Sequence, residues 1–114
     1  MNSKIIKEAV ESAFNTFIDV ESRKREIVYI RSIYYKLCKD FTSESLDAIG
    51  KHVNKDHATV LHGLKIFNNI IDNFWEKELF DVYLNIKDHI KTKISLEVKS
   101  YDPDKFYRNK YRVK

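Results

Sequence analysis

The sequence Lys55-Asp56-His57-Ala58-Thr59-Val60-Leu61-His62-Gly63 places polar residues directly ahead of an apolar pattern with helical spacing. The pattern continues through Leu64, Phe67 and Ile71, so it predicts a helix with Asp56 in its first turn and Asn54 as a plausible N-cap. Upstream, Leu46 and Ile49 predict a short helix, and residues 50–55 contain a turn. A short helix, a tight turn and a longer helix define a helix-turn-helix, whose second helix enters the major groove of DNA.

Apolar residues at helical spacing predict further helices on both sides of this motif. One pattern runs from Ile5 to Phe17, a second from Ile27 to Phe41, and a long one from Phe74 to Ile94. We expect a break near residues 72–76, because one compact domain rarely holds so long a helix. Two glycines and one proline leave few turn signals. The predicted fold is all-α, with five or six helices in a domain of residues 1–97.

Residues 98–114 differ in pattern from the rest of the chain. Pro103 interrupts them, the apolar spacing is irregular, and basic residues alternate with aromatic ones between Phe106 and Arg112. Such a tail can bind a nucleic-acid backbone or single strands, because cations attract phosphates and rings stack on bases. A disordered tail, or one that packs on itself, explains the same residues equally well.

Charge is distributed unevenly along the 114 residues, whose formal net charge is +4. Between Glu21 and Asp40, six basic residues stand against three acidic ones, whereas between Ile71 and Ile90 five acidic residues stand against two basic ones. One end of the molecule can therefore face a polyanion while the acidic helix faces away. The overall balance is weak evidence alone, since many proteins are mildly basic.

Several classes of function are disfavoured by what the sequence lacks. Cys38 is the single cysteine and lies in an apolar pattern, so we expect a buried thiol and no disulfide. The four histidines do not have metal-ligand spacing. We find no glycine-rich phosphate loop and no nucleophile–base arrangement, so we expect no enzyme activity, no ATP binding and no cofactor. No apolar run approaches the ~20 residues that cross a bilayer, and no signal peptide is evident, which favours a cytoplasmic protein without a membrane partner.

The polar residues at the start of the predicted recognition helix suit contacts with base edges. Asp56 can accept a hydrogen bond from a cytosine amino group, His57 and Ala58 can contact a thymine methyl, and Thr59 can bond a base edge or a phosphate. The alternative is structural: Asp56 and Thr59 are local capping residues and His57 is an ordinary exposed histidine. His62, further along the helix, is expected to be packed.

The Asp-His-x-Thr-Val-Leu-His run resembles the signature of the DnaA family of bacterial replication initiators, in its C-terminal DNA-binding domain. Residues 22–28 and 45–50 are similar to the basic segment and the Ser-Leu-Pro-Glu-Ile-Gly segment of that family, and the resemblance covers roughly residues 1–94. It implies a helix-turn-helix bundle of the Trp-repressor-like kind, acting as a stand-alone domain. It also implies double-stranded DNA as the partner, no small-molecule substrate, and binding as a monomer.

The resemblance also implies roles for individual residues. Arg31 matches an arginine that opens the family's long helix and reaches into the minor groove of DNA. That groove is narrow and has a strongly negative potential in A·T-rich sequences, which favours an inserted arginine. Basic residues around it would contact phosphates, which carry no base identity, although plain solvation explains each of them about as well. The full expected DNA-binding set is Arg23, Lys24, Arg25, Arg31, Lys39, Leu46, Lys55, Asp56, His57, Ala58 and Thr59.

Four departures from the family pattern affect the expected site. Ala58 stands where the family has threonine, and Asp47 replaces a proline near the DNA. Asn54 takes the place of a Gly-Gly pair, and Tyr34 and Tyr35 stand where small or aliphatic residues are common. We therefore expect general DNA binding, with weaker recognition of the family's usual box.

The expected function is sequence-directed binding of duplex DNA that regulates replication or transcription, on a bacterial genome or that of a phage or mobile element. The chain is either a complete small protein or an excised fragment, and the starting Met and the basic end favour the former. The competing class is a protein-interaction module that keeps the fold without specific DNA binding. Exposure of Trp75, Phe80 and Tyr83 would favour that alternative.

Overall fold

The computed structural model describes residues 2–72 and 77–101, and side chains within 2–70 and 77–94. These ranges form five helices and contain no strand, which confirms the all-α prediction. The helices are α1 (Ser3–Phe14), α2 (Arg25–Phe41), α3 (Leu46–Lys51), α4 (His57–Asp72) and α5 (Lys77–Tyr101).

Local capping chemistry sets the ends of the first and third helices. The Asn2 side chain accepts a hydrogen bond from the Ile5 amide at 3.1 Å, and the Ser45 hydroxyl accepts one from the Ala48 amide at 3.1 Å. Each satisfies an amide that has no partner inside its helix. Asn15 ends α1 in the left-handed conformation, with φ of 51°. Asparagine tolerates that conformation better than most residues, so α1 can stop there.

Helix α2 lies at the centre of the core and packs against α1, α3, α4 and α5. Its buried side chains include Ile33, Tyr34 and Leu37, and the predicted burial of Cys38 is confirmed. The Tyr34 hydroxyl donates to the Ile49 carbonyl oxygen at 2.6 Å, which ties α2 to α3. Burial raises the pKa of the Cys38 thiol to about 12, so the thiol stays protonated and unreactive at neutral pH.

The turn between α3 and α4 depends on Gly50 and Asn54. The Gly50 carbonyl oxygen accepts hydrogen bonds from the amides of Val53, at 3.0 Å, and Lys55, at 2.9 Å. A side chain at Gly50 would overlap the Lys55 carbonyl oxygen, so only glycine allows this approach. Asn54 has a φ of 61° and its side chain donates to the Asp19 carbonyl oxygen. Its expected role as the N-cap of α4 is therefore wrong; Asn54 shapes the turn instead.

Helix α5 packs against α1, α2 and α4. Helix α4 is described to Asp72 and α5 from Lys77, and the break expected near residues 72–76 falls, apart from Asp72, outside the described residues. Tyr83 is buried against Phe67, with ring centroids 4.8 Å apart, and Phe80 is half-buried. The exposure that would favour an interaction module is thus not found at Tyr83; Trp75 lies outside the described residues. Helix α5 continues to Tyr101, past the expected domain end at residue 97, and the tail from 102 also lies outside them.

No helix in the described part of the chain is both long enough and apolar enough to span a membrane.

Candidate nucleic-acid interface

The N-terminus of α4 presents its first turn to solvent. His57, Ala58 and Thr59 are all exposed there. Asp56 precedes the helix and acts as its N-cap, since its Oδ1 accepts a hydrogen bond from the Thr59 amide at 2.9 Å. That bond from the Thr59 backbone lowers the pKa of the Asp56 carboxyl. The expectation that Asp56 lies inside the first turn of α4 is therefore wrong. Asp56 lies just before the helix, and its Oδ1 accepts the hydrogen bond that caps it.

Two side chains meet across the helix-turn-helix. Asp47, in the first turn of α3, places Oδ1 3.3 Å from Nδ1 of His57. Both side chains are largely exposed, at 76% and 67%. An exposed pair of this kind contributes little to folding, about 0–1 kcal/mol. The contact matters because it holds the imidazole and the carboxylate next to each other on the exposed surface at the start of the recognition helix.

Arg31 lies inside the protein. Its side chain is 4% exposed, and its guanidinium donates to three backbone carbonyls of the loop between α1 and α2. Nε bonds the Ile18 oxygen at 2.8 Å, Nη1 bonds the Ser22 oxygen at 2.8 Å, and Nη2 bonds the Val20 oxygen. The expectation that Arg31 projects into a minor groove is wrong for this structure.

The start of α2 explains the difference. The resemblance placed Arg31 where the long helix opens, but α2 begins at Arg25, so Arg31 lies in the second turn. From the second turn the Arg31 side chain reaches the loop that precedes α2. The guanidinium satisfies the three carbonyls there, through a buried bond to Ile18 and partly buried bonds to Ser22 and Val20.

A groove lies between the 22–23 segment, α2 and the start of α4, with a volume of about 400 Å³. It brings together four members of the expected DNA-binding set, which come from segments distant in sequence: Arg23, Arg31, Lys55 and Thr59. Arg23 and Thr59 are exposed, Lys55 is half-buried, and Arg31 lies beneath them. The basic segment and the recognition helix therefore share one face of the molecule.

The remaining expected residues lie around or away from this groove. Lys24 is exposed just ahead of α2, and the Arg25 guanidinium lies over the Tyr29 ring, 5.1 Å from its centroid. Lys39 is in the last turn of α2, ~21 Å along the helix axis from Arg25, and does not join the groove. Leu46 is half-buried and packs against the core.

Two residues of the groove were not anticipated. Tyr35 and His62 both line it, and His62, which was expected to be packed, is exposed. The sequence carried a signal for Tyr35: it follows Arg31 by one helical turn, so both lie on the same face of α2. Gly63 is the second signal, because a side chain there would overlap the Tyr35 ring.

This geometry defines a helix-turn-helix domain with a basic groove beside its recognition helix. Residues 4–66 match the family model described as the bacterial DnaA protein helix-turn-helix. The match covers more than half of the chain, so the chain belongs to this family.

Similar curated proteins are chromosomal replication initiator proteins DnaA. The chain is 53% identical to that of Bacteroides thetaiotaomicron over 49 residues, which is 42% of the chain and 10% of the relative. It is 46% identical to that of Lachnoclostridium phytofermentans over 63 residues, 52% of the chain and 14% of the relative. It is 34% identical to that of a Thermoanaerobacter species over 91 residues, 75% of the chain and 20% of the relative. The chain thus spans a fifth or less of these relatives. No solved structure matches it.

Proposed function

We propose that this chain binds duplex DNA with preference for certain sequences, inserting the N-terminus of α4 into the major groove. The observation that carries the proposal is the shared face: the exposed first turn of α4 adjoins a groove that holds Arg23 and Lys55. Polar side chains at a helix N-terminus suit base edges, and nearby cations suit the flanking phosphates. Membership of a DNA-binding helix-turn-helix family supports the same conclusion.

The proposed base contacts come from three exposed residues of α4. His57 and Ala58 are suited to a thymine methyl, and Thr59 to a base edge or a phosphate. Asp56 retains Oδ2 for a cytosine amino group while Oδ1 caps the helix. Arg31 is not included in the contact set, because its nitrogens already donate to backbone carbonyls.

The proposed phosphate contacts come from the segment before α2 and from the turn before α4. Arg23, Lys24 and Lys55 supply them at or near the groove, and Arg25 lies at the start of α2. Such contacts raise affinity for every sequence and make binding depend steeply on salt. Lys39 stands too far along α2 to share the same phosphates.

In the cell, we propose that occupation of initiator boxes regulates replication or transcription, on a bacterial chromosome or on that of a phage or mobile element. The relatives that the chain resembles are replication initiators, and the match is confined to a small part of them. A helix-turn-helix domain with the same recognition helix can compete for the same boxes. We propose binding as a monomer, since one recognition helix and one groove make a single footprint.

Fluorescence anisotropy with two labelled duplexes tests the proposal. One duplex carries a DnaA box and the other has the same composition in scrambled order. We expect binding to both, tighter binding to the box, and a loss of about tenfold or more between low and moderate salt. Absence of binding to either duplex, or binding that salt does not affect, would overturn the proposal and favour a protein-interaction module.

A further inference from the structure

Tyr34 and Tyr35 are adjacent on α2, both buried, and differ in one respect. The Tyr34 hydroxyl donates to the Ile49 carbonyl oxygen at 2.6 Å. The Tyr35 side chain is 2% exposed, and its buried hydroxyl has no hydrogen-bond partner within the described residues. A buried hydroxyl without a partner costs folding free energy, roughly as much as a lost hydrogen bond. The stability of the fold therefore does not explain why position 35 carries a hydroxyl.

Tyr35 is one of the residues that line the basic groove. Tyr35 lines it together with Arg31, Lys55 and Arg23, and Gly63 leaves room for the ring by lacking a side chain. The rim consists of long side chains at Arg23, Lys55 and His62, of which Arg23 and His62 are exposed. These side chains can move aside at a modest cost in rotamer entropy and admit a ligand to the floor.

Charge in and around the groove favours an anion. Arg23, Arg31 and Lys55 supply three cationic side chains, and no carboxylate lines the groove among the described residues. Asp56 is the opposing charge near Tyr35, and its Oδ1 is held by the Thr59 amide. Burial raises the pKa of Tyr35 to about 12, so its hydroxyl keeps its proton and donates at neutral pH.

We propose that this groove binds a phosphate group, with the Tyr35 hydroxyl as donor at its floor and Lys55 and Arg23 at its rim. The proposal rests on the proposed DNA binding for its principal source: the backbone strand that passes between α4 and the segment before α2. The shared chemistry also admits free phosphate. Tyrosine hydroxyls and cationic side chains both donate to phosphate oxygens, and bonds to a charged acceptor are the stronger kind.

The isosteric variants Tyr35→Phe and Tyr34→Phe provide the test. Tyr35→Phe removes only a hydroxyl that has no partner in the free protein, so the melting temperature should be unchanged or higher. Its affinity for both box and scrambled duplexes should fall about tenfold, because one hydrogen bond to a charged group is lost. Tyr34→Phe is the matched control: it should lower the melting temperature and leave affinity unchanged at temperatures where it is folded.

Duplexes with single neutral methylphosphonates locate the phosphate. At one backbone position, replacing the phosphate with a methylphosphonate should weaken binding by the wild-type protein. The same replacement should not weaken binding by Tyr35→Phe any further. Other positions should weaken both proteins equally. Equal affinity of Tyr35→Phe and wild type for both duplexes would overturn the contact with DNA.

Free phosphate separates this inference from the proposed function. Inorganic phosphate, compared with chloride at equal ionic strength, should raise the melting temperature of wild type more than that of Tyr35→Phe. If wild type binds no duplex but shows this difference, DNA binding fails and the anion site stands. If neither duplex binding nor the phosphate effect depends on Tyr35, the site is overturned.

Discussion

Asp47 Oδ1 lies 3.3 Å from Nδ1 of His57, so a carboxylate on α3 faces an imidazole on the recognition helix. The carboxylate stands at the surface where we propose that phosphates approach, and it is largely exposed there. Two effects of Asp47 are therefore coupled. It opposes DNA electrostatically, and it orients a residue that we propose contacts a base.

Substitutions at Asp47 should separate those effects. Asp47→Asn removes the charge and should raise affinity for all duplexes by about twofold, which corresponds to the Coulomb energy of roughly 0.4 kcal/mol between two unit charges about 10 Å apart in water. Asp47→Pro combined with Ala58→Thr should in addition shift preference toward the DnaA box. Competition between box and scrambled duplexes measures both. An unchanged preference in the double variant would mean that these two positions do not set specificity.

Base contacts and phosphate contacts should respond differently to alanine. Arg23→Ala and Arg25→Ala should weaken binding to box and scrambled duplexes equally, because phosphates carry no base identity. His57→Ala should reduce the difference between the two duplexes by ~1–3 kcal/mol. Lys39→Ala, at the far end of α2, is the control and should change neither. Equal losses on both duplexes for His57→Ala would remove that residue from the base-contact set.

Arg31 should act through the loop that it holds. Arg31→Gln removes charged donors from three backbone carbonyls and should lower the free energy of unfolding by about 3 kcal/mol. Trypsin should then cleave faster after Arg23 and Lys24 while the helix content by circular dichroism is retained. A variant of the exposed Lys65 to Gln controls for charge. Unchanged stability and unchanged cleavage would contradict the role assigned to Arg31.

Gly63 should resist replacement, although it lies inside a helix. An exposed Gly→Ala change in a helix usually stabilises by about 1 kcal/mol. Here the new methyl would overlap Cδ2 and Cε2 of Tyr35, so we expect a loss of ~1–3 kcal/mol in urea unfolding. Tyr35→Leu in the same chain should restore most of that loss. A stabilising Gly63→Ala would show that the ring can move freely.

Stability should fall in acid through Glu44. Its carboxylate accepts hydrogen bonds from the Ser3 hydroxyl and the Ser3 amide, both at 2.7 Å, and these bonds lower the pKa of Glu44. A carboxyl with a lowered pKa in the folded state stabilises the fold above its unfolded pKa, which is near 4.5. That contribution is lost as the pH falls through the folded pKa.

The comparison of Glu44→Gln with wild type measures this contribution. At pH 7 the variant should be about 1 kcal/mol less stable in urea unfolding. The difference should shrink below pH 4, where wild type also loses the charge. Glu8→Gln, on the exposed face of α1, is the control and should change little at either pH. A difference for Glu44→Gln that does not depend on pH would contradict the assignment.

The sequence predicted the elements that local chemistry determines. Apolar spacing gave the helices around Leu37 and Phe67, and polar residues with Gly50 indicated the turn of the helix-turn-helix. The start of α2 was not evident, because Lys24 makes no side-chain cap there. The burial of Arg31 depends on carbonyls of Ile18 and Val20, which come from another segment, and no local pattern reports such a contact.

The candidate site was only partly predictable, because some of its features depend on contacts between segments that are distant in sequence. The exposed residues of the recognition helix follow from its periodicity, whereas the groove exists only once α2, α4 and the 22–23 segment are packed together. Tyr35 departs from the family pattern in the sequence, but its unpartnered hydroxyl is a property of the packed structure. The sequence alone suggests that Asn54 caps α4, because its left-handed φ is evident only in the structure.

The close approach of Gly63 to the Tyr35 ring limits which residues can occupy the two positions together. Tyrosine at 35 with any side chain at 63 would place atoms in the same space. Glycine at 63 with a smaller residue at 35 would leave only a gap between the helices. A tyrosine at 35 is therefore accommodated without loss of stability only where position 63 is glycine, so the two positions should change together in related chains.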